Sequence, residues 1–153
     1  MMKTRHFLSL GLVTFALSWS AFGALKASNT MAFSAVLSGA NEVPAIASAG
    51  TGRVDVSLDK STHLLTWSVT YAGLSGPVKA GHFHGPASAV TNASVALGFT
   101  GNVESPIKGS ATLTAAQADE VMAGQWYVNL HTAAHPGGEV RGQVMPLPSL
   151  PLP

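Results

Sequence analysis

Residues 50–71 hold the pattern that most restricts the fold. Gly52, Val54, Val56 and Leu58 alternate with Arg53, Asp55 and Ser57. Leu65, Trp67, Val69 and Tyr71 then share a second alternating run, after the polar stretch DKST at 59–62. Successive side chains of a strand point to opposite faces, so each run is a strand with one apolar face, and the polar tetrapeptide is the hairpin turn between them. Other stretches continue the theme. Phe33, Ala35 and Leu37 share a face in 31–38, and Val95, Leu97 and Phe99 share one in 94–100. Further strands are expected over 79–84, 107–113, 125–132 and 139–144. Turn chemistry separates them: GANEVPAIASA at 39–49, GLSGP at 73–77, a polar loop at 88–93, a turn at 101–106 and AAHPGG at 133–138. Short strands about ten residues apart predict an all-β fold, an antiparallel Greek-key β-sandwich or barrel.

Two stretches break the alternation. In 114–124, TAAQADEVMAG, Thr114 and Gln117 have capping-box spacing, Ala116, Val121 and Met122 form a short apolar stripe, and Gly124 suits the C-terminal end. One short helix near 115–123 is expected. The tail at 146–153 has proline at alternate places and is expected to be extended and poorly packed.

The N-terminus reads as an address. MMKTRH at 1–6 is basic, 7–21 is an uncharged apolar run shorter than the roughly 20 residues of a membrane span, and small residues follow at Ala21, Gly23, Ala24 and Ala27. This pattern predicts a signal peptide at 1–27, cleaved between 20 and 28, and a periplasmic or secreted protein with no membrane segment afterwards. An uncleaved N-terminal anchor is the alternative. Cleavage would take away Lys3, Arg5 and Lys26, leaving five of the eight basic residues against seven acidic ones, a formal net charge of −2. Such a charge does not suit nucleic acid as a partner. Cysteine is absent, which excludes disulfides, a catalytic thiol and zinc–thiolate sites.

The chemistry concentrates in two places. AGHFHGPA at 80–87 puts His82 and His84 on one face of a strand and Phe83 on the other, with the two histidines roughly 7 Å apart along the backbone, close enough to converge on one metal ion. In QWYVNLHTAAHPGGEVRGQV at 125–144, Tyr127, Asn129 and His131 share a face opposite Trp126, Val128 and Leu130; Glu139, Arg141 and Gln143 lie opposite Val140, Gly142 and Val144. The plain alternatives are structural histidines and a solvent-exposed polar face, with Arg141 paired to Glu139, Glu42 or Asp55.

Taken together, these motifs resemble the chordin-type (CHRD) domain family over about 31–145. The landmarks are FSAVLSGANEVPA at 33–45, the L-x-W-x-V-x-Y strand at 65–71, GLSGPV before AGHFHGPA, the LTAAQ segment, and YVNLHTAAHPGGEVRGQV at 127–144. The resemblance implies an extracytoplasmic β-sandwich domain, found in exported bacterial proteins and as repeats in animal chordin; it brings no established general activity with it. A looser similarity is to the copper half of Cu/Zn superoxide dismutases, so the sandwich is expected to be superoxide-dismutase-like or immunoglobulin-like. By that similarity His82, His84 and His131 match copper histidines, His135 in the 133–138 loop is a candidate fourth ligand, and Arg141 matches an anion-guiding arginine, with Tyr127 and Asn129 around them. The chain lacks a bridging histidine, a zinc loop and a disulfide, which speaks against dismutase chemistry.

Three functions are compatible with these features. The first is a non-catalytic copper or zinc binding domain using a histidine cluster; three imidazoles without thiolate suit either ion. The second is a secreted protein- or glycan-binding matrix module with structural histidines. The third is a metal-dependent redox enzyme. Hydrolase motifs are absent, and nothing in the sequence joins Glu42 and Glu139 into an acid–base pair.

Overall fold

The computed structural model describes residues 29–148; the expected signal peptide and its cleavage region, like 149–153 of the tail, lie outside the described residues. The strands are β1 (Thr30–Ser38), β2 (Thr51–Asp59), β3 (Leu64–Ala72), β4 (Val78–His84), β5 (Val95–Gly98), β6 (Ile107–Thr112), β7 (Tyr127–Thr132), β8 (Val140–Gln143) and β9 (Met145–Pro146). Among the described residues one α-helix, α1 (Ala115–Met122), precedes β7, and a single 3-10 turn, Gly39–Asn41, follows β1. All the pairings are antiparallel and join one sheet in the order β5-β4-β7-β8-β1-β2-β3-β6, with β9 on β1.

The sheet has a weak seam. β1 and β8 share the single pair Ser38–Arg141, whereas β1 and β2 are paired along their whole length. Four strands therefore lie on the β8 side and, with β9, five on the β1 side, and the sheet curls there into a half-barrel around one core. The aromatic contacts demonstrate the curl. Trp67 on β3 meets Phe83 on β4 edge-on at 5.4 Å and stacks with Phe99 at 5.6 Å, although β3 and β4 are far apart in strand order. The all-β sandwich or barrel expected from the alternation is the observed fold, built as one continuous curled sheet.

Local chemistry accounts for the elements. In the β2–β3 hairpin Val54 faces Val69, Val56 faces Trp67 and Leu58 faces Leu65, and all six are buried. A one-residue slip would turn this apolar set to water, so the register is held by burial worth about 1.5–3 kcal/mol for each large side chain. The Asp59 carboxylate accepts from the main-chain N–H groups of Ser61 and Thr62 and closes the turn. The capping box of α1 is complete: Gln117 N–H donates to Thr114 Oγ1 at 3.2 Å, and Thr114 N–H donates to Gln117 Oε1 at 3.0 Å. Gly124 ends the helix with φ +68°, a left-handed conformation that favours glycine.

Three expectations need correction. On α1 the buried residues are Ala118 and Val121, with Met122 packed beside them, while Ala116 is exposed, because at about 100° per residue it falls nearly opposite Ala118. Val95 is 52% exposed rather than core-facing; it lies on an edge strand beside a register shift at Phe83/His84. The start of the tail is tied down rather than loose, since Phe33 pairs with Pro146, Ser34 pairs with Met145 and Leu147 N–H donates to Ala32 O at 2.8 Å.

Candidate metal centre

β4 and β7 are sheet neighbours, with His82 opposite Asn129 and His84 opposite Tyr127. Strand parity then gathers His82, His84, Tyr127, Asn129 and His131 on one face. The ring centroids of His82 and His131 are 4.9 Å apart, and those of His82 and His84 are 5.5 Å apart. One ring nitrogen from each of the three histidines lies within 4.8 Å of the others, with His84 buried and the other two half-buried. The polar face of β7 is therefore not a wet surface: Tyr127 and Asn129 are both buried.

Main-chain carbonyls set the proton positions. His84 Nδ1 is 3.0 Å from Ala93 O, and His131 Nδ1 is 2.9 Å from Pro136 O. A carbonyl oxygen only accepts, so each Nδ1 carries hydrogen and donates. In the neutral rings the lone pair then sits on Nε2, on the side of the cluster. His131 Nε2 is 3.1 Å from His82 Nδ1, and the Nε2 atoms of both His84 and His131 are 2.9 Å from Asn129 Oδ1. Burial lowers the pKa of His82 below its ordinary 6.5, and the neighbouring His131 and His84 lower it further. Burial also lowers that of His131, against the raising effect of the Pro136 carbonyl. Both rings are held neutral at pH 7, the form that ligates metal. The donor set thus fits a borderline divalent cation: three imidazoles, two of which, His84 and His131, have the proton on the far side committed to a carbonyl group.

A layered support stands beside His84. Its ring stacks on Tyr127 at 4.8 Å with 3° between planes, and the Arg141 guanidinium carbon is 3.5 Å from the Tyr127 centroid. Arg141 is buried and donates to Asn92 Oδ1 at 2.8 Å, Thr91 O at 2.7 Å and Ser88 O at 3.2 Å. Tyr127 OH accepts from Ala93 N–H at 3.2 Å. Together they hold the 88–93 loop, and with it the carbonyl that orients His84. Arg141 touches none of the three histidine rings. Its nearest carboxylate influence is Glu42; Asp55 pairs with Arg53 instead. Buried under this loop, it is not placed to guide anions from solvent.

A model of the CHRD domain matches residues 33–144. The chain belongs to the CHRD domain family. No curated protein and no solved structure matches it. The CHRD span runs from Phe33 on β1 to Val144 beyond β8, and so contains the three clustered histidines and everything that supports them.

His135 lies outside the three-histidine group. It lines a cavity of about 440 Å³ with Glu42, Ile46, Asn92 and Pro136 among others. Glu42 Oε1 is buried there with no hydrogen-bond partner among the described residues. Burial pushes the Glu42 carboxyl up to about 7, against the lowering effects of the Arg141 charge and the Asn129 amide. Glu139 precedes β8 and faces away from Arg141, towards Ser48, Ser75 and Thr132. The residues that sequence reading missed are Ala93 and Pro136, which act through main-chain oxygen, and Asn92, which receives Arg141. Backbone carbonyls carry no residue signature, so no pattern could have found them.

Proposed function

We propose that this CHRD domain is a non-catalytic binding site for a divalent transition metal, copper(II) or zinc, held by His82, His84 and His131. One observation carries the reading: the two Nδ1–H groups of His84 and His131 are spent on main-chain carbonyls, which leaves their Nε2 lone pairs for the cluster, where one ring nitrogen of each histidine lies within 4.8 Å of the others. Metal-bound histidines commonly show this arrangement, because the outer hydrogen bond selects the tautomer and stiffens the ring. Copper(II) is expected to bind more tightly than zinc, following the general affinity order for nitrogen sites.

The family is of extracellular type, and among the described residues no helix is long and apolar enough to cross a membrane. We read the N-terminal 27 residues as the export signal. Mass spectrometry of the exported protein should find a new N-terminus between 20 and 28; a chain still beginning at Met1 would refute the cleavage.

Metal binding is tested by isothermal titration of the purified protein with copper(II) and zinc at pH 7.5. The expected result is one ion per chain. Heat and melting temperature unchanged by either ion would remove the metal site.

A further inference from the structure

We propose that Asn129 is itself a ligand, its side-chain carbonyl oxygen completing a site of three nitrogens and one oxygen with His82, His84 and His131. This rests on the metal-binding reading above and adds a fourth donor atom to it.

Asn129 is buried on β7, opposite His82 and between the imidazoles and Glu42. Its Oδ1 is 2.9 Å from His84 Nε2 and 2.9 Å from His131 Nε2. Both rings hold their proton on the far side, at Nδ1. Two nitrogen lone pairs and a carbonyl oxygen therefore face one another with no hydrogen between them. His82 Nδ1 lies 3.1 Å from His131 Nε2 and donates to it in one tautomer; in the other its lone pair joins the group. The two Nε2 lone pairs and the Asn129 oxygen repel at 2.9 Å, and a cation among them converts the repulsion into attraction. The spacing also suits one: donor atoms each about 2.0–2.2 Å from a single ion sit ~3 Å apart when they subtend roughly a right angle.

The other end of the amide is provided for. An ideal Cβ at Gly138 would lie 2.5 Å from Glu42 Oε1 and 2.6 Å from Asn129 Nδ2, so the amide nitrogen is on the Glu42 side. Gly138 has φ +127° and no side chain, which leaves room for both groups. Glu42 Oε1, lacking a partner of its own, is the acceptor that the Asn129 N–H₂ group faces. With Oδ1 turned to the histidines and Nδ2 to a carboxyl, the amide is polarised towards a better oxygen donor. Imidazoles with a carboxamide oxygen suit a borderline divalent ion, not copper(I), which selects thiolate and thioether.

The competing role is structural: a reversed amide whose N–H₂ donates to both Nε2 atoms. The two roles part on substitution. A ligand needs oxygen, so Asn129→Asp should bind copper(II) at least as tightly as wild type, whereas Asn129→Ala should lose about 10–100-fold. A structural donor needs N–H, so Asn129→Asp and Asn129→Ala should lose affinity alike. Competition titrations with a chelator of known copper affinity read this, and metal-free melts confirm that each variant is folded. A second measurement needs no variant. In copper-loaded wild type with ¹³C at the asparagine side-chain carbonyl, electron–nuclear double resonance should detect a ¹³C coupling to the copper spin. Equal losses in the two variants, or no ¹³C coupling, would overturn Asn129 as a ligand while His84→Ala still abolished binding and so upheld the metal site. Wild type that binds no copper or zinc would overturn both.

Discussion

Two polar clusters are buried beside the β7–β8 hairpin, and they differ in how donors balance acceptors. Around Glu139 the balance is complete. Ser48 Oγ and Ser75 N–H donate to Oε1, each at 2.8 Å, and Ser75 Oγ and Thr132 Oγ1 donate to Oε2, each at 2.6 Å. Burial alone would raise this carboxyl, but bonds from the Ser75 and Thr132 hydroxyls, the Ser75 N–H and Ser48 outweigh it and bring the pKa to about 2. Around the histidines the balance is open. Asn129 Oδ1 and the Nε2 atoms of His84 and His131 crowd together, and Glu42 Oε1 behind them, though faced by the Asn129 amide nitrogen, makes no hydrogen bond among the described residues. A network with every bond met holds a structure together, whereas surplus acceptors at a half-open position hold a place for something positive.

The largest effect is expected where the balance is complete. Glu139→Ala should cost about 3 kcal/mol or more, since it strands several buried donors at once. Urea unfolding at pH 7 measures it, and a midpoint unchanged from wild type would show the cluster to be idle. The same carboxyl sets an acid limb. Its folded pKa is about 2 against an ordinary value of 4.5, so its stabilisation is present above 4.5 and is lost as pH falls towards 2. Glu139→Gln should flatten that limb.

The next effect belongs to the open cluster and needs metal. With free ion at a hundredfold excess over Kd, wild type should gain about 2.7 kcal/mol. His82→Ala, His84→Ala and His131→Ala should each lose most of that gain. Because burial lowers the pKa of His82 and His131, binding should persist below the ordinary imidazole value of about 6.5 before proton competition removes it. Loss of binding already above pH 7 would contradict neutral, desolvated rings.

A smaller change of opposite sign is expected at Glu42. Burial pushes its carboxyl up to about 7 in the folded state, above the ordinary value of 4.5. The folded state therefore holds its proton longer, and stability falls as pH rises from 4.5 through 7. Metal-free Glu42→Gln should equal wild type near pH 4 and exceed it at pH 8 by on the order of 1–2 kcal/mol. A melting comparison at the two pH values checks the sign; equal differences at both would argue against an ionisation penalty. The smallest effect is at His63, which sits in the β2–β3 turn away from both clusters. His63→Ala should leave the metal-dependent gain intact.

What could be read along the chain was whatever depends on near neighbours. Side-chain parity separated Phe83 from His82 and His84, and Trp126, Val128 and Leu130 from Tyr127, Asn129 and His131. The Thr114–Gln117 spacing located the helix start, because a capping box is made of atoms three residues apart. Parity could not tell that both faces of β7 are buried, since that depends on the 88–93 loop being pinned over one of them by Arg141. Nor could it tell that Glu139, just before β8, turns away from Arg141 on that strand, towards serines 64 and 91 positions earlier.

The sequence by itself determined the strands, their apolar faces, the cap of α1 and the pairing of two histidines on one face, because each follows from backbone geometry repeated every two or four residues. Tertiary structure alone decided that His131 joins them, that His135 stands apart, and which nitrogen of His84 and His131 carries the proton. Those outcomes depend on β4 lying beside β7 and on the carbonyls of Ala93 and Pro136. A main-chain carbonyl is the same at every residue, so its position, which no local pattern encodes, sets the chemistry of the site.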